Sequence, residues 1–184
     1  MKLVDPERSW LELERRMATE TDLRCKAVLE QVRNHMRAEL RMQLEPLMAT
    51  LIHDPEYHFH GMPGFESLNG RDAVICYYER MFAEGRMGAE FEVDRIVVDH
   101  NAVVTEGYMI AIVGADALLK ADVYQVGGIK VDVALTYLSR ARLLVVWPVA
   151  ADGRLIGEEI YLGTTRYENI PERRMANTKI GEGD

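Results

Sequence analysis

The sequence lacks an excess of basic residues, because 22 lysines and arginines stand against 30 aspartates and glutamates and give a net charge of −8. A nucleic-acid partner is therefore disfavoured, since no cationic surplus is available to displace the counterions of phosphates. The chain also lacks an apolar run of the roughly 20 residues that a membrane span needs, and its first residues carry no hydrophobic signal segment. We therefore expect no membrane association and a cytoplasmic location.

Cysteine is scarce, with Cys25 and Cys76 as the two thiols of the 184-residue chain. They lie in separate segments and lack the C-x-x-C or cysteine–histidine spacing of a zinc site. Both fall at helical positions of the sequence pattern, and both are expected to be buried thiols. A structural metal is therefore not predicted.

Apolar residues in the N-terminal part of the chain recur at helical spacing. A stripe with a period of four predicts one long helix that begins near Asp22, and it consists of Val28, Val32, Met36, Leu40 and Leu44. His35 lies beside this stripe and is interpreted as a residue on the helix face. Ser9 and Glu12 have the spacing of a capping box, which predicts the start of an earlier helix. Pro46 fits the first position of a further short helix, because proline lacks the N–H that a helix interior needs.

The chain then changes from helical spacing to alternation. Between Glu56 and His60, Tyr57 and Phe59 point to one side while the histidines at 58 and 60 point to the other, which predicts a short strand. One further helix follows, and most of the remaining chain has the two-residue period of long antiparallel strands. This order predicts an α+β protein in which helices pack on one face of a curved sheet.

Three parts are expected along the chain. Residues 1–45 form an N-terminal helical extension together with the first long helix, and residues 46–165 form the core of the domain. Residues 166–184 form a polar tail, which we expect to be poorly ordered unless it docks on a partner.

The order and spacing of several segments resemble the NTF2-like superfamily, and within it the SnoaL-like proteins. The segments that carry the resemblance are LIHD at 51–54, YHFH at 57–60, GRDAV at 70–74 with YYE at 77–79, IVVD at 96–99, VVTEG at 103–107, VVW at 145–147 and DGRLIGE at 152–158. The resemblance implies a cystatin/NTF2-like cone, a strongly curved antiparallel sheet wrapped around helices with an internal pocket. This fold includes ketosteroid isomerases, scytalone dehydratase, limonene epoxide hydrolase, polyketide cyclases and binding modules, so the fold alone does not specify a reaction.

The resemblance also suggests catalytic residues. His60 stands where ketosteroid isomerases carry their general-base aspartate, and Tyr78 matches the tyrosine that supports their oxyanion site. Their oxyanion aspartate corresponds to Val145, which argues against ketosteroid isomerase activity itself. Glu158 shares the strand parity that faces the cone interior. We therefore predict His60 as the base, Tyr78 as the oxyanion donor and Glu158 as the orienting or acidic group.

Each of these three side chains has a structural alternative. His60 would otherwise be a partly exposed polar residue at a strand end, and Tyr78 a core residue with its hydroxyl at the rim. Glu158 would face water if Glu159 faced the interior, or it would form a buried ion pair with an arginine across the sheet.

Four further residues are predicted to bind the ligand: Asp54, His58, Tyr77 and Trp147. His58 shares the parity of His60 and could relay a proton, whereas Asp54 also fits a turn residue that binds local backbone. A metal site of His58, His60 and Glu158 is disfavoured, because the pocket of this superfamily usually works without metal, and no cofactor is expected.

The resulting functional hypothesis is a small apolar, oxygenated molecule bound in the cone, with cofactor-independent isomerisation, cyclisation or dehydration by acid–base chemistry. The alternative is a non-catalytic ligand-binding or dimeric assembly module. A homodimer is expected through the outer face of the sheet, where Val131, Val133, Leu143 and Val145 are predicted to form an apolar surface.

Overall fold

The computed structural model describes residues 3–62, 64, 67–84 and 88–169. A short 3₁₀ turn, Pro6–Arg8, precedes the α-helices, which are α1 Leu11–Thr19, α2 Leu23–Leu40, α3 Leu44–Ala49, α4 Arg71–Ala83 and α5 Ala115–Lys120. None of the helices in these ranges is both long and apolar enough to cross a membrane.

The strands are β1 Leu51–His60, β2 Leu68–Asn69, β3 Ala89–Val98, β4 Ala102–Gly114, β5 Gln125–Val126, β6 Ile129–Lys130, β7 Thr136–Pro148, β8 Leu155–Leu162 and β9 Arg166–Asn169. The main sheet has the order β2-β1-β8-β7-β4-β3, and β9 also pairs with β7. Strand β1 runs parallel to β8, whereas the other pairs are antiparallel, so the sheet is mixed. The sheet is strongly curved and does not close, which confirms the predicted α+β cone.

A glycine of β4, Gly107, lies opposite a β-bulge of β3. The register of β3 against β4 shifts between Val93 and Arg95. At this place a Cβ on Gly107 would lie 1.9 Å from the carbonyl oxygen of Glu92. A side chain at position 107 would therefore force the two strands apart, and glycine allows their close approach.

The core lies between the helices and the concave face of the sheet. Alternate residues of the central strands point inward and are buried, among them Tyr57, Val103, Thr105, Leu143, Val145 and Trp147. Helix α2 presents the predicted stripe to this face, with Val28, Val32 and Met36 buried. The inward side chains of the strands and the apolar stripe of α2 therefore pack together in one hydrophobic layer.

The outer face of the sheet carries many charged residues, and the prediction that Val131, Val133, Leu143 and Val145 form an apolar surface there is wrong. Leu143 and Val145 belong to the inner core, whereas Val131 joins a small second core and Val133 is 79% exposed. The same alternation that turns Leu143 inward turns its neighbour Arg142 outward.

Ion pairs cover part of this outer face. Arg142 contacts Asp94 at 2.7 Å and Glu106 at 2.6 Å, and Arg140 contacts Glu92 at 3.1 Å. The Arg140 guanidinium also lies 3.8 Å from the ring centroid of Tyr108, in cation–π geometry.

Several local predictions differ from the structure. Strand β1 begins at Leu51 and contains Asp54 in a bulge, where its register against β8 shifts between Leu51 and Glu56. Cys25 is buried as predicted, but Cys76 is exposed. The tail prediction is wrong for its first four residues, which form β9, and residues 170–184 lie outside the described part of the chain.

The N-terminal segment packs into the core. Ser9 is buried and its Oγ accepts a hydrogen bond from the Phe91 backbone N–H at 2.9 Å, so it binds the sheet and does not cap α1. Trp10 is 4% exposed and packs in the main core together with Leu13. This segment is therefore part of the hydrophobic structure of the cone.

We predict that Trp10→Ala lowers the free energy of unfolding by about 3–5 kcal/mol, because it removes a large buried side chain and leaves a cavity. Leu23→Ala is the matched control, since Leu23 is 83% exposed, and it should change stability by less than about 0.5 kcal/mol. Urea unfolding followed by circular dichroism measures both. Equal unfolding midpoints for the two variants would contradict the packing of Trp10.

Candidate active site

Five polar side chains meet inside the cone, between the helices and the concave face of the sheet. They are His35 and Glu39 of α2, Tyr57 of β1, Tyr78 of α4 and Glu158 of β8, and we call them the buried polar cluster. Four of them are at most 5% exposed, whereas Glu39 is half-buried as a whole residue. Its carboxylate oxygen nevertheless lies within 4.8 Å of ligand atoms of both His35 and Glu158.

Secondary structure brings these residues together. His35 and Glu39 are four positions apart in α2, so their side chains share one helix face. Tyr57 and Glu158 are register partners in the parallel pair β1–β8, and both point to the concave side. Tyr78 reaches the same point from the buried face of α4.

The orientation of the His35 ring is fixed from outside the cluster. Its Nδ1 lies 2.6 Å from Thr50 Oγ1, and the Thr50 hydroxyl donates to the Leu47 carbonyl at 2.6 Å. Because that hydroxyl has one proton and uses it on the carbonyl, the His35 Nδ1–H must be the donor to Thr50. The other ring nitrogen, Nε2, therefore faces the cluster.

His35 Nε2 lies 3.0 Å from Glu158 Oε1, and 3.2 and 3.4 Å from the hydroxyls of Tyr57 and Tyr78. A nitrogen and a carboxyl oxygen at this distance share one proton, whether it resides on the imidazole or on the carboxyl group. The Tyr78 hydroxyl also lies 3.2 Å from the Tyr57 hydroxyl and 3.3 Å from Glu158 Oε1. His35, Tyr57, Tyr78 and Glu158 are thus one connected hydrogen-bond network that contains a group able to accept or return a proton.

Burial controls the protonation of the remaining members. Desolvation raises the pKa of Glu39 well above its ordinary value, and the nearby charge of Glu158 raises it further. Desolvation and the same charge raise the pKa of both Tyr57 and Tyr78 well above the ordinary tyrosine value. The two hydroxyls therefore remain hydrogen-bond donors at neutral pH, and burial shifts Glu39 toward its protonated form.

Trp147 forms the wall behind the imidazole. Its indole N–H donates to Thr105 Oγ1 at 2.9 Å, and its ring packs edge-on against His35 with the centroids 5.6 Å apart. Tyr77, the other aromatic residue predicted to bind ligand, is half-buried and packs against Phe59 and Tyr78.

His60 does not meet Glu158, so the predicted pairing of these two residues is wrong. Strand alternation places His58 and His60 on the outer face, where both bind Glu159 at 2.6 Å. His60 also stacks on Tyr161, with ring centroids 4.3 Å apart. Glu158 faces inward as the resemblance implied, and its sequence neighbour Glu159 faces outward.

Asp54 also lies apart from the cluster. Its side chain is 76% exposed in the β1 bulge, where its nearest ionic partner is His53 at 3.1 Å. The disfavoured metal set of His58, His60 and Glu158 is divided between the two faces of the sheet and does not form.

His35 and Glu39 were not among the residues predicted to be functional. The signal was present, because His35 falls within the apolar face of α2 between Val32 and Met36. A histidine in such a position must find hydrogen-bond partners when the face is buried, and an acid one helical turn away is a candidate neighbour.

Comparison with known proteins gives a family and a fold. The family model of the SnoaL-like domain matches residues 32–155. This range contains His35, Glu39, Tyr57 and Tyr78, and it ends just before Glu158. No curated protein matches the chain.

Solved structures share the fold at low sequence identity. An NTF2-like protein from Anabaena variabilis ATCC 29413 has 13% identity over 79% of this chain and 96% of its own, with a TM-score of 0.55. An LEH-like epoxide hydrolase of M. tuberculosis has 22% identity over 75% and 84%, with a TM-score of 0.51. SalBIII, described as an epoxide hydrolase/cyclase-like enzyme in pyran ring formation in the polyether salinomycin, has 10% identity over 74% and 91%, with a TM-score of 0.52.

The raised pKa of Glu39 predicts a pH-dependent stability. The folded state retains a proton that the unfolded chain releases above its ordinary pKa of 4.5. Stability is therefore lost as pH rises from there toward the folded pKa, by at most about 1.4 kcal/mol for each pH unit. In Glu39→Gln this loss should disappear, so the stability of the variant relative to the wild type should increase as pH rises above about 4.5.

Urea unfolding at several pH values, with a chelator present, measures this difference. Glu30→Gln is the matched control on the same helix, because its side chain is 53% exposed, and it should keep the wild-type pH dependence. Parallel pH curves for Glu39→Gln and the wild type would show that the Glu39 carboxyl is not desolvated.

Proposed function

The chain belongs to the SnoaL-like domain family, and we propose that it is an acid–base enzyme acting on a small apolar, oxygenated molecule without a cofactor. The observation that carries this proposal is the 3.0 Å contact between His35 Nε2 and Glu158 Oε1 within an apolar core. Such a pair can take a proton from a substrate and return it in the same turnover. Low local polarity strengthens every electrostatic interaction that this pair makes with a substrate.

In the proposed mechanism each member of the cluster has one role. The His35–Glu158 pair is the general base, which is the role that was predicted for His60. Tyr57 and Tyr78 donate hydrogen bonds to an oxygen of the substrate on which negative charge develops. Glu39, whose raised pKa favours the protonated form, donates a proton to a leaving or ring oxygen.

Apolar side chains around the cluster suit an apolar substrate body. Those that pack half-buried against the core are, among others, Phe59, Tyr77, Phe82, Met109, Ile160 and Leu162. Ile160 and Leu162 follow Glu158 with the same parity along β8, so the inner surface continues as hydrocarbon beyond the polar cluster. A ligand with one oxygenated end and an apolar body would match this arrangement, with its oxygenated end at the polar cluster and its body against the apolar side chains.

Two structural neighbours support this substrate class. The M. tuberculosis neighbour is named as an epoxide hydrolase and SalBIII as an epoxide hydrolase/cyclase-like enzyme, and both names describe reactions at an oxygen of a small molecule. For this chain we propose isomerisation, dehydration or cyclisation, reactions in which one proton is removed from carbon or oxygen and one is delivered to oxygen or carbon.

The proposal predicts that Glu158→Gln and His35→Asn each lower kcat/KM by about 10²–10⁴-fold, because each removes one of the two residues that together act as the general base. Asparagine at position 35 can still donate to Thr50, so the variant isolates the loss of Nε2. A panel of epoxides, hydroxy-epoxides and unsaturated ketones, followed by mass spectrometry, supplies the substrate. His60→Asn and Glu159→Gln are matched controls that should retain activity within about twofold.

A second candidate is a non-catalytic ligand-binding or assembly module. It is favoured because no fully buried side-chain polar atom of the cluster lacks a hydrogen-bond partner. Among the described residues, the one such atom is Arg8 Nε, which lies outside the cluster. The cluster therefore satisfies its own polar groups. Thermal stabilisation by panel compounds without turnover would support this candidate, and turnover that survives Glu158→Gln in a folded protein would refute our mechanism.

We also propose that the protein is a cytoplasmic homodimer that pairs through the outer face of the sheet. Half-buried Val104, Leu144 and Val146 lie there next to the charged residues, beside the 44% exposed Tyr161. Tyr161→Glu should therefore shift the dimer toward monomer in sedimentation equilibrium. Tyr124→Glu, at another exposed tyrosine, is the control and should leave the mass unchanged; a wild-type monomer would contradict the proposal.

A further inference from the structure

We infer that His35, Glu39 and Glu158 also form a binding site for one divalent transition-metal ion of the Zn²⁺ class. Each residue offers one ligand atom, and the three atoms lie within 4.8 Å of one another. One imidazole nitrogen and two carboxylate oxygens form a donor set that such ions accept. The inference uses side chains of the proposed function, but it does not depend on any catalysis.

The distances suit a shared ion. Two ligands that each lie about 2.0–2.1 Å from a tetrahedral zinc are separated by about 3.3 Å. His35 Nε2 and Glu158 Oε1 are 3.0 Å apart, so an ion could replace the shared proton with little movement. Glu39 lies one helical turn from His35 on the same face of α2, from which its carboxylate can close the third side.

The imidazole is already oriented as metal-binding histidines are. Its Nδ1–H donates to Thr50, whose hydroxyl is held by the Leu47 carbonyl, so the lone pair of a neutral ring lies on Nε2. A hydrogen bond at the distal ring nitrogen is the usual outer-shell partner of a metal-bound histidine. Because Thr50 and Leu47 lie outside the cluster, this orientation is independent of the two carboxylates.

The charge balance of the core also favours a cation. Among the ion pairs of the described residues, none joins Glu39 or Glu158 to an arginine or lysine, whereas the buried Glu90 contacts Arg8. Two carboxylates that share one desolvated site are costly unless a proton or a cation neutralises them. A divalent ion would neutralise both carboxylates at once.

A bound ion and the proposed proton transfer exclude each other. The ion would occupy the Nε2 lone pair and both carboxylates, and any proton held there would pass to solvent. The groups assigned as base and proton donor would then be unavailable to a substrate. We therefore expect Zn²⁺ to inhibit any acid–base activity of this site.

Calorimetric titration of the chelator-treated protein with ZnCl₂ tests the inference. We expect one equivalent to bind, with affinity at least about 100-fold lower in His35→Asn and in Glu158→Gln. Thr50→Val should weaken binding about 10–100-fold, because it removes the partner that orients the ring. Circular dichroism confirms that each variant is folded.

Two surface groups provide the controls. His60→Asn disrupts the exposed His58–Glu159–His60 group, and His100→Asn disrupts the group of Asp22, Cys25 and His100. Both variants should bind Zn²⁺ with wild-type affinity. The inference would be overturned if the wild type did not bind Zn²⁺. It would also be overturned if a control variant lost binding while the core variants kept it.

A zinc-soaked crystal gives a result that does not depend on any core variant folding. An anomalous difference peak among His35, Glu39 and Glu158 supports the site, and peaks only at surface histidines overturn it. Turnover with chelator but without zinc binding would refute this inference and leave the proposed function intact. Zinc binding without turnover of any substrate would support this inference and count against the proposed function.

Discussion

The contact between the His35 imidazole and the Glu158 carboxyl group is the constraint on which the interior of this protein depends. It joins α2 to β8 within a hydrophobic core, where an unpaired polar group would cost several kcal/mol in the low-dielectric interior. Thr50 holds the ring from one side, and Tyr57 and Tyr78 surround it on the other. The helix therefore cannot shift along the sheet without leaving buried donors and acceptors unsatisfied, so packing and chemistry are fixed by the same contact.

Strand alternation separates two groups of titratable residues that are adjacent in sequence. On β8, Glu158 enters the interior while Glu159 binds His58 and His60 on the outer face. The inner group lies in the core, and burial there raises the pKa of Glu39, Tyr57 and Tyr78 well above their ordinary values. The proposed chemistry and the proposed metal site both follow from this desolvation, because a proton and a divalent cation are alternative ways to neutralise two buried acids.

The N-terminal segment belongs to the same structural unit as the site. Trp10 and Leu13 pack in the core that contains Tyr57 and Tyr78, and Ser9 binds the backbone of β3. Its capping-box spacing predicted a helix start, but the hydroxyl satisfies a sheet N–H instead, and Trp10 precedes the first residue of α1. The Ser9 hydroxyl binds the Phe91 N–H and does not cap α1, because a buried backbone N–H has a greater need for a hydrogen-bond partner than an exposed helix end, which water can satisfy.

The sequence by itself determined the α+β class and the long helix α2, because both depend on a repeating local period. Its motifs carried the resemblance to the SnoaL-like family, and that resemblance implied the inward parity of Glu158. Only the tertiary structure decided which imidazole meets Glu158. His60 is close to the expected strand position but on the wrong face, whereas His35 reaches the carboxylate because α2 crosses the concave side at that point. No local pattern encodes where a helix crosses a sheet, since that position results from the packing of many side chains at once.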